Sequence, residues 1–183
     1  MTPIIAPSSA LEVATGAAAA TLTTSLDDSQ RWGEALYVLG ANQDFWFSQG
    51  ANDTVFTADS TTDKLTATAH KIHNGQALQV SNSGGALPGG LSATTTYWAI
   101  YVDANTFKLA TSYANAVAGT AIDITSNGTG TQTASVVATA GSGSAFVPGG
   151  SLVLIDGAFG AKVSVIQDST TGKASVAKVF KAR

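Results

Sequence analysis

The sequence predicts an all-β protein: a discontinuous β-sandwich with a small β module inserted into it. Short runs of alternating apolar and polar residues, rich in β-branched and aromatic side chains, occur at Glu34 to Gly40, Asp44 to Gly50, Ser151 to Asp156, Ala161 to Asp168 and Lys173 to Phe180. Gly, Asn, Asp and Pro bound these runs, as turn chemistry requires. The composition suits a folded chain with a small-residue surface, since 44% of residues are hydrophobic and only 11% charged, against about 25% charged in an average domain. A mean hydropathy of +0.18 argues against disorder, because enough apolar surface is present to offset chain entropy.

In chain order, the stretch from Ser8 to Trp32 is the one with room for a helix, which Ala17 to Ala20 favour by propensity. The threonines at 21, 23 and 24 and the lack of a 3.6-residue repeat predict extended or loop structure instead. "VLGANQDFWF" predicts a hairpin, and so does "VIQDSTTGKASV". Between them, "VPGGS" from Val147 to Ser151 predicts a turn in which proline fixes φ and glycine supplies positive φ. On this reading the outer segments form a meander.

The middle of the chain has a different texture. Small polar tracts flank it, Asp59-Ser60-Thr61-Thr62 on one side and Ala138 to Ser144 on the other, as at linkers or insertion joints. Each flank alone carries too few strands to close a sheet, but together they carry enough. The expected organisation is one discontinuous domain of residues 1–57 plus 138–183, interrupted by a module at 58–137.

Several function classes are disfavoured. With 9 basic and 12 acidic residues the net charge is −3, which offers no basic field for nucleic acid. Positive charge gathers only at the end, in Lys173, Lys178, Lys181 and Arg183, as a solvated terminus or as a docking element for an acidic neighbour. The absence of cysteine excludes disulfides and cysteine-based metal or redox sites. The first residues lack the basic n-region of a signal peptide, and no run approaches the roughly 20 apolar residues of a membrane helix. A soluble product made in the cytoplasm is expected.

The stretch from Asp63 to Thr133 carries a "TATAH" segment, a "NG" turn, "LPGGLSATTTYW", "DANTFKLA" and "AIDITSNGTGT". In these motifs it resembles a small β module that recurs in tail fibres and other virion appendages of tailed bacteriophages. The family has Gly-Leu after the histidine, where this chain has Lys71 and Ile72. The flanks, through "FVPGG" and "KVSVIQDSTTGKASV", are similar to small β-sandwich proteins encoded among phage head and tail genes.

Individual constellations point away from catalysis. His70 and His73 are the only histidines, but their spacing brings ligands together on a helix, whereas here a strand leads into an Asn-Gly turn with only Asp59 and Asp63 near in sequence. The resemblance implies that His70 supports a turn by capping backbone groups. Asp27 and Asp28 with Arg31 fit capping or surface roles, since general acid–base work needs a positioned group with a perturbed pKa. The glycines of "GGALPGG" and "VPGG" lie outside any strand-to-helix phosphate motif. No catalytic residue, cofactor or metal is expected.

The aromatic residues form two sets. On one strand Phe45 and Phe47 lie opposite Trp46, and on another Tyr97 and Tyr101 lie opposite Trp98, so each strand is apolar on both faces. Phe45, Trp46 and Phe47, with Lys178, Lys181 and Arg183, are the candidate protein-interaction residues; Tyr97, Trp98 and Tyr101 are the candidates for contact with a surface or receptor such as a sugar. Taken with the resemblance, these residues imply a non-enzymatic virion protein: a capsid decoration (cement) protein that binds the major capsid protein as a homo-oligomer such as a trimer. The alternative is a tail- or fibre-associated protein that binds host polysaccharide. Neither implies nucleic acid or membrane as a partner.

Overall fold

A computed structural model of the chain describes residues 11–15, 20–23, 36–50, 53–141, 144–156, 162–168 and 172–179. It is almost entirely β, and it divides into two units: Met1–Gly50 with Ala138–Arg183, and Ala51–Val137.

The first unit contains two four-stranded antiparallel sheets. One has the order β1 (Leu11–Thr15), β14 (Gly172–Val179), β3 (Leu36–Ala41), β12 (Leu152–Asp156). The other has the order β11 (Ala145–Val147), β4 (Phe45–Gly50), β13 (Lys162–Gln167), β2 (Ala20–Thr23). Within this unit, strands that follow one another along the chain, β1 to β4 and β11 to β14, therefore alternate between the two sheets, while β4 pairs with β11 across the inserted unit; the meander expected from sequence is not formed. "VLGANQDFWF" joins β3 of one sheet to β4 of the other, and "VIQDSTTGKASV" joins β13 to β14, so neither is a hairpin.

The crossing at residues 42–44 has a local cause. Asp44 accepts the Gly149 N–H on its carboxylate at 2.8 Å and the Asp168 N–H on its backbone oxygen at 3.1 Å. These bonds tie the β3–β4 connection to the β11–β12 turn and to the end of β13, so the chain leaves one sheet without folding back on it. The "VPGGS" turn forms as expected, with Ser151 N–H bonded to the Pro148 oxygen at 3.1 Å and Gly150 at φ +77°, but it too leads from one sheet to the other. The first strands, β1 and β2, are extended; residues 16–19 between them, which hold most of the alanine tract that had left room for a helix, lie outside the described residues.

The second unit is a closed six-stranded barrel. Its strands are β5 (Thr54–Asp59), β6 (Lys64–Thr66), β7 (Ala77–Ser83), β8 (Thr96–Asp103), β9 (Thr106–Ala110) and β10 (Thr131–Val136), in the order β10-β5-β6-β9-β8-β7 around the ring. Alternate residues point inward, as in β10, where Gln132, Ala134 and Val136 are buried between more exposed neighbours. In the interior, Phe56 and Phe107 meet edge to face at 6.2 Å, and small residues such as Ala99 and Ala134 make room for them.

β5 pairs with both β6 and β10, so Thr54–Thr57 are needed to close the ring, and the unit starts at Ala51 rather than at 58. Asp59 to Thr62, read from sequence as a joint, is the β5–β6 hairpin turn. The Asp59 carboxylate accepts the Thr61 N–H at 2.9 Å and the Thr62 hydroxyl at 2.7 Å, which folds the four residues back on themselves.

One element had no sequence forecast. Helix α1 (Tyr113–Ala118) follows β9, capped by the Ser112 hydroxyl accepting from Asn115 N–H at 3.1 Å and ended by Gly119 at φ +76°. Near the start of β10, the loops of "LPGG" and "SNGTG" are clasped together. Gln132 Nε2 donates to the oxygens of Ala86 and Thr129 at 2.9 and 2.8 Å, and Thr129 N–H bonds the Ala86 oxygen at 2.9 Å. Gly128 shows why glycine stands here: at φ +71°, a Cβ on it would lie 2.7 Å from the Ala86 oxygen and the Pro88 nitrogen.

Two outcomes are expected. Phe107→Ala should destabilise the barrel by about 3–5 kcal/mol in urea titration, because a fully buried ring with few ways to be replaced is lost; a loss under about 1 kcal/mol would contradict the interior packing. A chain with 51–137 replaced by a short Gly/Ser link should keep the circular dichroism of the two outer sheets; an unfolded product would mean that they depend on the barrel.

Candidate interaction surfaces

On β4 the aromatic residues divide between the two faces. Phe45 is fully buried, facing the same side as buried Val147 and Val165, and Phe47 is half-buried with its ring 6.4 Å from that of Phe45. These two belong to packing. Trp46 looks the other way, between Phe146 of β11 and Ile166 of β13 in register.

The Trp46 and Phe146 rings are 5.0 Å apart and tilted at 59°; Trp46 and Ile166 are half-buried, and Phe146 is 44% exposed. Trp46 Nε1 donates to the Asp168 carboxylate at 2.8 Å, so the polar edge of the indole is satisfied while its ring stays beside Phe146. Further along the same face, Ser48 and Ser164 are buried, and the Ser164 hydroxyl accepts the Ala138 N–H at 2.8 Å. Among the residues whose side chains are described, the open apolar row therefore lies at the Phe146–Trp46–Ile166 end. Phe146 was not singled out from sequence, because its place opposite Trp46 comes from pairing between strands about a hundred residues apart. Lys178 lies on β14, in register with Tyr37 and in the other sheet from Trp46. Lys181 and Arg183, like Asp27, Asp28 and Arg31, lie outside the described residues.

The β8 candidates separate similarly. Tyr97 is not a surface residue: it is buried inside the barrel, and its hydroxyl accepts the Ser92 N–H at 2.7 Å. Trp98 faces outward but is half-buried, in register with Ala77 and Ala110, both fully buried, where α1 packs against β8 and β9. Closure of the ring encloses Tyr97, and the helix side of the barrel limits access to Trp98. Only Tyr101 remains open, at 48% exposure.

Tyr113, which sequence reasoning missed, is 40% exposed, and its ring lies against Gly75, where a Cβ would come within 2.7 Å of Cε2. The adjacent Asn74 accepts the Tyr101 N–H at 3.0 Å. The Asn74-Gly75 turn thus ties Tyr101 and Tyr113 to one end of the barrel.

His70 and His73 do not converge. His70 is buried, its Nδ1 accepts the Ile72 N–H at 3.2 Å, and its ring meets Phe107 edge-on at 5.1 Å. It caps a backbone group two residues on and fills the barrel end. Next to it, Ile72 is buried in the same core and Lys71 is exposed. His73 is exposed, and among the described residues no three of His, Cys, Asp or Glu gather as metal ligands.

Two carboxylates are electrostatically distinctive. Asp59 is held below the ordinary carboxylate value first by the Thr62 hydroxyl and then by the Thr61 N–H; Asp103 is held down in the same way by the Thr106 hydroxyl and the Asn105 N–H. Both head hairpin turns with the pattern Asp-x-x-Thr, "DSTT" and "DANT". These are structural carboxylates, and nothing about them resembles a paired acid and base.

No protein-family model, no curated protein and no solved structure matches the chain.

The carboxylates lead to a pH expectation. Because the folded-state pKa of each is depressed, its contribution is complete above the unfolded value near 3.8 and is lost as pH falls through the lower folded value. Asp59→Asn with Asp103→Asn should therefore narrow the gap in urea midpoint between about pH 7 and about pH 3, compared with the parent chain. An unchanged gap would show that the two turns carry no acid sensitivity.

Proposed function

We propose that this chain is a non-enzymatic structural protein of a tailed-phage virion, a decoration or cement protein whose outer unit attaches to the major capsid protein. The observation that carries the reading is the apolar Phe146–Trp46–Ile166 row on one sheet of the outer unit, with Phe146 exposed and Trp46 and Ile166 half-buried beside it. Contiguous apolar surface on a small domain is a mark of an interaction site, and aromatic anchors dominate such sites energetically. The resemblance of Asp63–Thr133 to phage appendage modules supplies the virion setting, and the low charge suits attachment by apolar contact. Weak contacts repeated by a homo-oligomer over a symmetric shell add up to firm attachment.

A second reading, attachment at the tail with binding to host polysaccharide, draws on Tyr101 and Tyr113, two exposed aromatic side chains tied to one end of the barrel. Tyrosines of this kind stack well on sugar rings.

Location on the particle tests both. Imaging of purified virions by cryo-electron microscopy should place the chain in many copies on the capsid; density in a few copies confined to the tail would overturn the decoration reading and favour the second. Phe146→Ser, at an exposed position, should leave the melt nearly unchanged yet weaken attachment to particles by about 1–2 kcal/mol per site. Undiminished attachment would remove the aromatic row from the interface.

A further inference from the structure

The chain contains Asn-Gly twice, at Asn74-Gly75 and Asn127-Gly128. Such a pair is prone to cyclisation, since the glycine nitrogen reaches the asparagine side-chain amide with no Cβ in its way. The reaction needs an electrophilic carboxamide and an amide nitrogen free to attack.

The first requirement is met at both sites. Asn74 Oδ1 accepts the Tyr101 N–H at 3.0 Å, and Asn127 Oδ1 accepts the Ser60 N–H at 2.7 Å. A donor at that oxygen stabilises the negative charge that develops when the carbon is attacked.

The second requirement separates them. Gly75 N–H is engaged with the Ala99 oxygen at 2.7 Å, and the Tyr113 ring lies over Gly75. Gly128 N–H has no hydrogen-bond partner among the described residues, and Asn127 is exposed.

We propose that Asn127 is a site of spontaneous covalent modification and that Asn74 is protected by the fold. The Gly128 nitrogen attacks Asn127 Cγ and gives its proton to solvent; the side-chain nitrogen leaves as ammonia, closing a five-membered succinimide. Water then opens the ring at either carbonyl, giving aspartate or isoaspartate, with no change of oxidation state. The site lies where modification matters. Asn127 holds the β5–β6 turn through Ser60, and Gly128 fits tightly against Ala86 and Pro88. An isoaspartyl link adds a methylene to the backbone at that tight point, and either product puts a negative charge beside Ser60. The modification thus acts as a slow release of the clasp between the two loops.

The test is incubation of the full chain at mildly alkaline pH in heavy-oxygen water, followed by peptide mass spectrometry, with a parallel sample in concentrated urea. In the folded chain Asn127 should convert at least about tenfold faster than Asn74, the factor that corresponds to opening one hydrogen bond of about 1.4 kcal/mol. In urea the two sites should convert at similar rates. Equal rates in the folded chain, or a folded chain in which Asn127 stays intact, would overturn the proposal whatever the urea sample does.

Discussion

Closure of the barrel by β10 is the constraint on which the central unit depends. This last strand pairs with β7 on one side and with β5, the first strand of its unit, on the other. Bringing Gln132 beside Phe56 closes a long loop at an entropic cost, and the return is a ring with no free edge and a sealed interior. The interior then has a set volume. Phe56 and Phe107 fill it, Ala99 and Ala134 accommodate them, and His70 and Ile72 close it from a loop rather than from a strand.

The same closure explains the glycine-rich loops. Residues 84–90 and 125–130 must lie close together where β7 meets β10, and Gln132 and Asn82 bond across them, with Asn82 Nδ2 reaching the Thr129 oxygen at 2.7 Å. A side chain at Gly128 would collide with backbone, so this glycine is a place of close approach rather than of looseness. The Asp-x-x-Thr turns serve at the hairpins, where a carboxylate satisfies one N–H and one hydroxyl at once. A barrel stabilised in this way needs little charge.

In the outer unit the organising contact is Asp44, whose two acceptors hold the connections between the sheets. The strand it introduces, β4, then buries Phe45 on one face and leaves Trp46 beside Phe146 on the other. One strand thus serves both the packing of the unit and the surface proposed for attachment. The indole is fixed by Asp168 before any partner arrives, which lowers the ordering cost of binding.

Local pattern determined the all-β class, most strand positions and the type of the "VPGGS" turn. These depend on neighbours within a few residues, on side-chain alternation and on the φ preferences of glycine and proline. Strand partners were not legible. Period two marks a strand but carries no address, so "VLGANQDFWF" and "VIQDSTTGKASV" looked like hairpins although each crosses between sheets. For the same reason Tyr97, Trp98 and Tyr101 looked equivalent, and only closure of the ring and the packing of α1 separated a core residue, a half-buried one and an exposed one. Phe146 and Tyr113 acquired their roles through contacts with residues distant in sequence, Trp46 and Gly75, which the tertiary structure alone brings beside them.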